Sequence, residues 1–115
     1  MAKTSPTQRS LKRLREEGYH AGIVEKYIQA IHARKDLFGW IDIVAIHPGK
    51  TGVLGVQTTT GDHLPDRLEK ARGNAALVAW LAAGNSLVVH GWRKLAGRWT
   101  VREHVVVLTD LGRAS

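Results

Sequence analysis

The clearest alternation of hydrophobic and polar positions lies between residues 36 and 60, and it predicts a β-hairpin. Two runs rich in β-branched residues, 41–46 and 53–60, flank a turn signal that contains Pro48 and Gly49. Strand side chains alternate between the two faces of a sheet. The first strand then divides into two sets, with Trp40, Asp42, Val44 and Ile46 on one face and Ile41, Ile43 and Ala45 on the other. On the second strand, Gln57 and Thr59 share a face.

Asp42 is the anomaly in this hairpin, because it interrupts a run that otherwise looks buried on both faces. A carboxylate in such a place must be paired with a charge, hydrogen-bonded or bound to a cation. Asp42 is therefore the first residue to consider for chemistry.

The flanking sequence predicts further helices and strands. Ser5 to Gln8 is typical of a capping box with Pro at the first helical position, and the helix runs to about Glu17 and ends at Gly18. Residues 21–29 alternate as one strand, with Ile23, Glu25 and Tyr27 on one face, and residues 30–35 form a connection. Helical segments follow over 65–72 and 75–83, then strands over 86–92 and 98–108 around a turn at 94–97.

This order, α-β-β-β-α-β-β, favours an α/β fold in which helices pack against a central mixed sheet. The 115 residues are expected to form a single domain spanning 1–115. Asn74 caps the second helical segment, which is nearly all apolar and is expected to be buried. Trp80, Trp92 and Trp99 are expected in the core, and Trp92 and Trp99 could pair across the last hairpin. Trp40 is also expected in the core by default, but it is the tryptophan best placed to touch nucleic acid.

Charge and composition narrow the function classes. Lys and Arg number 17 against 10 acids, which gives a net charge of +7 and favours a polyanionic partner, most commonly nucleic acid. Candidate phosphate contacts are Arg9, Lys12 and Arg13 on the first helix, with Arg34 and Lys35 further on; a solvated basic face is the alternative. The chain has no Cys, no apolar run of membrane-spanning length and no signal-peptide pattern, so we expect a cytoplasmic protein without a membrane partner.

Several other chemistries find no pattern to support them. Six His residues occur, but no pair has the i, i+4 spacing of a helical zinc motif. No Ser lies in a nucleophile elbow, and no Gly-rich phosphate loop is present.

An Asp at the end of one hairpin strand, facing an acid-x-Lys triplet on the next, is the signature of the PD-(D/E)XK nucleases. The chain resembles this superfamily at Ile41-Asp42-Ile43 and at Val56-Gln57-Thr58-Thr59, and residues 35–39, Lys-Asp-Leu-Phe-Gly, are similar to a small-phage branch of it. Asp42 takes the place of the metal-binding Asp, Gln57 that of the second acid and Thr59 that of the Lys. The predicted element order also matches the αβββαβ core of this restriction-endonuclease-like fold.

The resemblance implies a Mg²⁺-dependent endonuclease, with Mn²⁺ as a substitute, that acts on branched DNA as a homodimer, in the manner of a Holliday junction resolvase. It implies that Asp42, Gln57 and a residue of the strand 21–29 converge on one edge of the sheet. Metal ligands would come from Asp42, the Gln57 amide oxygen and the Thr58 carbonyl, while Glu25 and Asp36 would restore the missing negative charge. Glu25 paired with a surface cation, and Asp36 as a turn residue, are the alternatives.

Thr59 cannot replace a Lys ammonium. In some members of the superfamily the Lys has migrated to the helix after the hairpin, and Lys70 is placed for that role, with Arg67 one helical turn before it.

Three interpretations remain open at this point. The first is the nuclease, in a bacterial or phage-infected cell. The second is a nucleic-acid-binding protein on the same scaffold that has lost catalysis, which the residues at 57 and 59 favour. The third is a structural or interaction protein with incidental basic charge.

Overall fold

The structure is a computed structural model that describes residues 4–112. Its regular elements are, in chain order, α1 (Pro6–Glu16), β1 (His20–Ile23), β2 (Lys26–Ile28), β3 (Ala33–Lys35), β4 (Ile43–Ile46), β5 (Leu54–Thr60), α2 (Leu64–Ala71), α3 (Ala75–Ala82), β6 (Ser86–Leu95) and β7 (Arg98–Val106). Short 3₁₀ turns cover Gln29–Ile31 and Gly61–His63. Among these residues, none of the helices has the length and apolar character that crossing a membrane requires.

Five of the strands form one mixed sheet in the order β1-β4-β5-β6-β7, and β2 and β3 form a separate hairpin. The β5–β6 pair is parallel, whereas the other neighbours are antiparallel. A parallel pair requires a long crossover connection, and α2 and α3 supply it. The predicted α/β fold, with a central mixed sheet flanked by helices, is confirmed.

Each face of the sheet carries its own hydrophobic core. Against one face, Leu11 and Leu14 of α1 pack with Ile43, Val56 and other residues of the central strands. The opposite core lies beneath α2 and α3 and is formed mainly by Trp40, Ile41, Leu64, Ala71, Leu77, Leu87 and Val89. Consecutive residues of β6 serve opposite cores, as the alternation of a strand with two buried faces requires.

A buried polar network holds α1 against β6. The hydroxyl of Ser10 accepts a hydrogen bond from the Trp92 indole N–H at 2.8 Å and lies 2.9 Å from His90 Nδ1. Burial lowers the pKa of His90, so its ring is neutral at neutral pH. His90 Nε2 faces the Glu103 carboxylate at 3.3 Å and therefore carries the proton, which leaves Nδ1 to accept from Ser10. The predicted helix start is also confirmed, because Ser5 accepts from the Gln8 N–H.

The strand predicted over residues 21–29 is wrong in one respect: it is two strands. β1 ends at Ile23, and β2 leaves the main sheet to pair with β3 in the register Lys26 to Lys35. β3 lies in the segment that was predicted as a connection. Local alternation is the same for one long strand and for two short ones, so only the available partner decides between them.

The predicted facing of Ile41 is also wrong. Ile41 packs in the same core as Trp40 and Val44, whereas Ile43 packs beneath α1. The Asp42 N–H donates to the Val56 carbonyl at 2.8 Å, yet Ile43 is the register partner of Val56. Two residues therefore stand opposite one, as in a β-bulge, and the alternation is shifted before position 43.

Burial of the third helix and of one tryptophan was overestimated. Only Leu77 of α3 is fully buried, because the helix presents its other side to solvent. Trp40 and Trp92 belong to the core as predicted, but Trp99 is 46 % exposed. Trp92 lies opposite Val101 and Trp99 opposite Lys94, so the two indoles do not pair across the hairpin.

Gly52, in the loop before β5, lies very close to the loop that contains Gly84. It has φ +83°, and an added Cβ would collide with the backbone carbonyl oxygen of Gly84. Gly73 has a similar φ of +73° but no heavy atom within 4 Å of an added Cβ. We expect Gly73→Ala to cost about 1–2 kcal/mol for the left-handed backbone alone, and Gly52→Ala at least about 3 kcal/mol because it adds the collision. Urea denaturation measures both, and equal losses would contradict the close approach of the two loops.

Candidate functional site

Three carboxylates converge where the β2–β3 hairpin leaves the main sheet. Glu25, Asp36 and Asp42 each bring a carboxylate oxygen within 4.8 Å of the others. Glu25 precedes Lys26 and Asp36 follows Lys35, which are register partners, so the two acids stand at the open base of the hairpin. The Val24 N–H donates to the Asp42 carbonyl at 2.9 Å and anchors this base beside the start of β4.

Asp42 is held by the backbone and side chain of Thr58. Its Oδ2 accepts from the Thr58 N–H at 2.9 Å and from the Thr58 hydroxyl at 3.2 Å. The side chain of Asp42 is thereby fixed, and the residue is only 5 % exposed. Thr7 of α1 extends the contact, since its hydroxyl lies 2.9 Å from that of Thr58.

The environment of Asp42 disfavours its charge. Its pKa is raised from the ordinary 3.8 to about 7, mainly by burial and then by the carboxyl of Asp36, while the hydrogen bonds from Thr58 oppose the change. Near neutral pH, Asp42 therefore exchanges readily between the protonated and charged forms. A bound cation would favour the charged form.

Gln57 makes a different contact from the one expected of it. Its amide nitrogen donates to the Trp40 carbonyl at 2.6 Å, and the residue is buried. Neighbouring residues of a strand point to opposite faces, so Asp42 meets Thr58 while Gln57 points away from that contact. The hydrogen bond leaves the amide oxygen as the atom of Gln57 that is available to other partners.

A cavity of about 720 Å³ collects most of the predicted site residues. Its acidic and neutral lining includes Glu25, Asp36, Asp42, Gln57, Thr58 and Thr59. Three cationic side chains, Arg34, Arg67 and Lys70, line the same cavity. Arg67 and Lys70 lie one helical turn apart on α2, as the sequence predicted.

The ion pair expected of Glu25 is present, and the same carboxylate also lies in the acidic cluster. Arg34 Nη1 lies 3.6 Å from the Glu25 carboxylate, which makes a partly exposed ion pair, and Glu25 is also a member of the acidic cluster. Asp36 likewise opens a turn, in which the Gly39 N–H donates to its carbonyl, while its side chain joins the cluster. Exposed ion pairs of this kind contribute little to stability.

Four of the predicted phosphate contacts lie elsewhere. Arg9, Lys12 and Arg13 line a separate groove between α1 and the β6–β7 hairpin. Lys35 is exposed on β3 and does not line the cavity. The three residues of α1 therefore belong to this groove, Arg34 belongs to the acidic cavity, and Lys35 lies in neither.

Thr7 and His63 are among the residues of the cavity lining that the sequence did not single out as site residues. Neither carries a local signal: Thr7 follows a helix cap, and His63 ends a 3₁₀ turn and lies 3.3 Å from Asp66.

The chain of Ser10, His90 and Glu103 has the order of a nucleophile, a base and an acid. Ser10 is fully buried, so this chain is structural.

No protein-family model, curated protein or solved structure matches this chain.

The raised pKa of Asp42 predicts a pH-dependent stability. The folded state retains a proton that the unfolded state releases near pH 3.8, so the contribution of Asp42 to stability is lost as the pH rises to about 7. Asp42→Asn removes the ionisation and keeps an oxygen for the Thr58 N–H. We therefore expect the free energy of unfolding of this variant, relative to that of wild type, to increase by on the order of 1 kcal/mol or more from about pH 4 to about pH 8.

Urea denaturation of both proteins at the two pH values measures this difference. Titrations elsewhere in the chain cancel in the comparison of the variant with wild type. A constant difference between the two proteins would contradict the raised pKa.

Proposed function

We propose that this chain is a metal-dependent endonuclease of the PD-(D/E)XK type, which hydrolyses phosphodiester bonds in branched DNA in the manner of a Holliday junction resolvase. The observation that carries the proposal is the convergence of Glu25, Asp36 and Asp42 at one cavity that also holds cationic side chains. Acids would hold a cation, and the surrounding cations would hold the phosphate.

The residues present fit a divalent cation. Three carboxylates within 4.8 Å of one another repel unless a proton or cation lies among them. Burial and, after it, the neighbouring carboxyl of Asp36 raise the pKa of Asp42. Mg²⁺, or Mn²⁺ in its place, prefers oxygen ligands, and Asp42, Asp36 and Glu25 would supply them.

Two neutral donors would complete the ligand set, the Gln57 amide oxygen and the Thr58 carbonyl. Gln57 lines the cavity, and its amide nitrogen is fixed on the Trp40 carbonyl, so its amide oxygen is the atom left for a ligand. When bound, a divalent cation neutralises phosphate charge and lowers the pKa of a water.

Cationic side chains of α2 would position the phosphodiester. Lys70 is exposed at the cavity, and its ammonium would take the role of the triplet Lys, which Thr59 cannot fill. Arg67 lines the same wall, and its buried Nε has no hydrogen-bond partner within residues 4–112. Its guanidinium suits a phosphate oxygen, since arginine binds phosphates with several parallel donors.

A second candidate is a DNA-binding protein that has lost catalysis. The contact between the Gln57 amide nitrogen and Trp40 favours it, because that hydrogen bond makes Gln57 part of the buried structure. Under either candidate, we place the protein in the cytoplasm, with DNA as its partner. Two cuts in a junction require two copies of the site, so we propose a homodimer for the nuclease.

Asp42→Asn tests the enzyme directly. Asn keeps the size and one oxygen but removes the charge that would hold the cation, so we expect Mg²⁺-dependent cleavage of a junction substrate to fall by about 10³-fold or more. Binding of the same DNA in EDTA should not fall, because a carboxylate near phosphate repels it. Gln57→Glu is the reverse change and should preserve or raise activity if position 57 contributes a ligand.

Gel-based cleavage of junction, flap and linear DNA, with Mg²⁺ or Mn²⁺, provides the measurement. If wild-type protein cleaves none of them, the enzyme is excluded and the binding protein takes its place.

Lys70→Ala tests the substituted ammonium. We expect cleavage to slow by about 10²-fold or more if Lys70 stabilises developing phosphate charge. Lys50→Ala is the matched control, since Lys50 is exposed on the β4–β5 turn, outside the cavity. Equal rates for the two variants would remove Lys70 from the mechanism.

A further inference from the structure

A second basic groove lies between α1 and the β6–β7 hairpin, and its floor is aromatic. It encloses about 610 Å³ and is lined by Arg9, Lys12, Arg98, Trp92 and Trp99, among others. The last pair of strands carries Lys94 and Trp99 as register partners, so both side chains lie on the α1 face of the hairpin. The groove therefore combines cations with an indole near the hairpin end.

The charge of this groove is largely uncompensated. Arg9, Lys12 and Arg98 form no salt bridge within the described part of the chain, and Glu16 is the one acid in the lining. Arg13 differs, because it is paired with Glu103 at 3.1 Å and Glu17 at 3.5 Å. A ligand in the groove would therefore meet a net positive surface, which suits a polyanion.

Trp99 gives the groove a flat apolar element. The Arg9 guanidinium lies 3.6 Å from the centroid of its ring, and the Lys94 ammonium lies 5.8 Å away. Trp99 nevertheless remains 46 % exposed, so part of the indole is accessible to a ligand. Exposed aromatics beside arginines form the stacking platforms on which proteins bind unpaired bases.

The groove and the acidic cavity are neighbours along α1. Pro6, Thr7 and Gln8 line the cavity, while Thr4 and Arg9 line the groove. The first turn of one helix thus lies between the two, and neighbouring residues of that helix line both. Two adjacent sites of this kind suit an extended strand of nucleic acid better than a compact anion.

We propose that the groove between α1 and the β6–β7 hairpin binds an unpaired strand of nucleic acid, with a base on Trp99 and phosphates on Arg9, Lys12 and Arg98. Bases inside a duplex are already stacked and cannot reach the indole, so the groove selects single-stranded segments such as flaps or opened branches. The inference rests on the proposed function only for the identity of the polymer in the cavity. Binding in the groove requires neither metal nor cleavage.

Fluorescence anisotropy in EDTA, with a labelled oligo-dT of about 15 nucleotides and a hairpin duplex of equal charge, tests the proposal. We expect Trp99→Ala to weaken oligo-dT binding about tenfold and duplex binding much less. Trp99→Phe should recover most of the loss, because it keeps an aromatic face. Arg72→Ala is the control for charge, since Arg72 is exposed beyond the end of α2 on the other side of the sheet.

Salt dependence provides a second measurement. Removing one phosphate-binding side chain should lower the slope of log affinity against log salt by about 0.7 for a single strand. Arg98→Ala should show this change, and its exposed side chain makes it a usable variant even if Trp99→Ala does not fold. An unchanged slope and unchanged affinity in Arg98→Ala, as in Arg72→Ala, would overturn the proposal.

Other outcomes also overturn the assignment. If Trp99→Ala weakened binding of duplex and of oligo-dT equally, the groove would recognise charge alone. If polyglutamate of equal charge displaced oligo-dT, the partner would be an acidic protein. Absence of cleavage by wild-type protein with this binding intact would refute the nuclease and leave the groove standing. Cleavage that persists with Trp99-independent binding would refute the groove and leave the nuclease.

Discussion

The burial of one carboxylate, that of Asp42, is the constraint around which the candidate site is arranged. Asp42 is 5 % exposed, and its carboxylate accepts hydrogen bonds from the N–H and the hydroxyl of Thr58. Two further carboxylates, those of Glu25 and Asp36, stand within 4.8 Å, so a charged Asp42 is largely removed from solvent and repelled by its neighbours. Such an arrangement costs stability and persists only where the surrounding fold determines it. A proton on Asp42 relieves part of this cost, as the raised pKa indicates.

Helix α1 contacts the acidic cavity, the central sheet and the basic groove. Its first turn brings Thr7 to the Thr58 hydroxyl, and its middle is fixed to β6 by the buried Ser10 hydroxyl. Its exposed side holds Arg9 over Trp99. The same helix therefore supports the acidic cavity, closes one hydrophobic core and forms a wall of the basic groove. A change in its seating would alter all three together.

The small β2–β3 hairpin has a comparable role at the other side of the cavity. Glu25 and Asp36 are well separated in the chain but meet at its base because Lys26 pairs with Lys35. The hairpin makes few contacts with the main sheet beyond this base, and its exposed residues include Tyr27 and Ile31. The acidic cluster therefore depends on a local pairing as much as on the large sheet.

The sequence alone determined the helix starts, the order of the main elements and the importance of Asp42. Capping at Ser5 and Asn74 is a local interaction, and alternation with two buried faces is visible in any short window. An acid inside an apolar run is likewise apparent without a structure. These features follow from the energetics of a residue and its chain neighbours.

Tertiary structure decided what those features contact. The bulge at Asp42 turned Ile41 into the other core, and pairing with β3 split the strand that carries Glu25. Thr58 rather than Gln57 became the partner of Asp42, and Trp99 stayed at the surface although it resembles the core tryptophans in sequence. Pairing partners and solvent exposure are set by residues distant in the chain. A local sequence pattern does not specify the pairing partner or the exposure of a residue, because the same alternation is compatible with several registers and several neighbours.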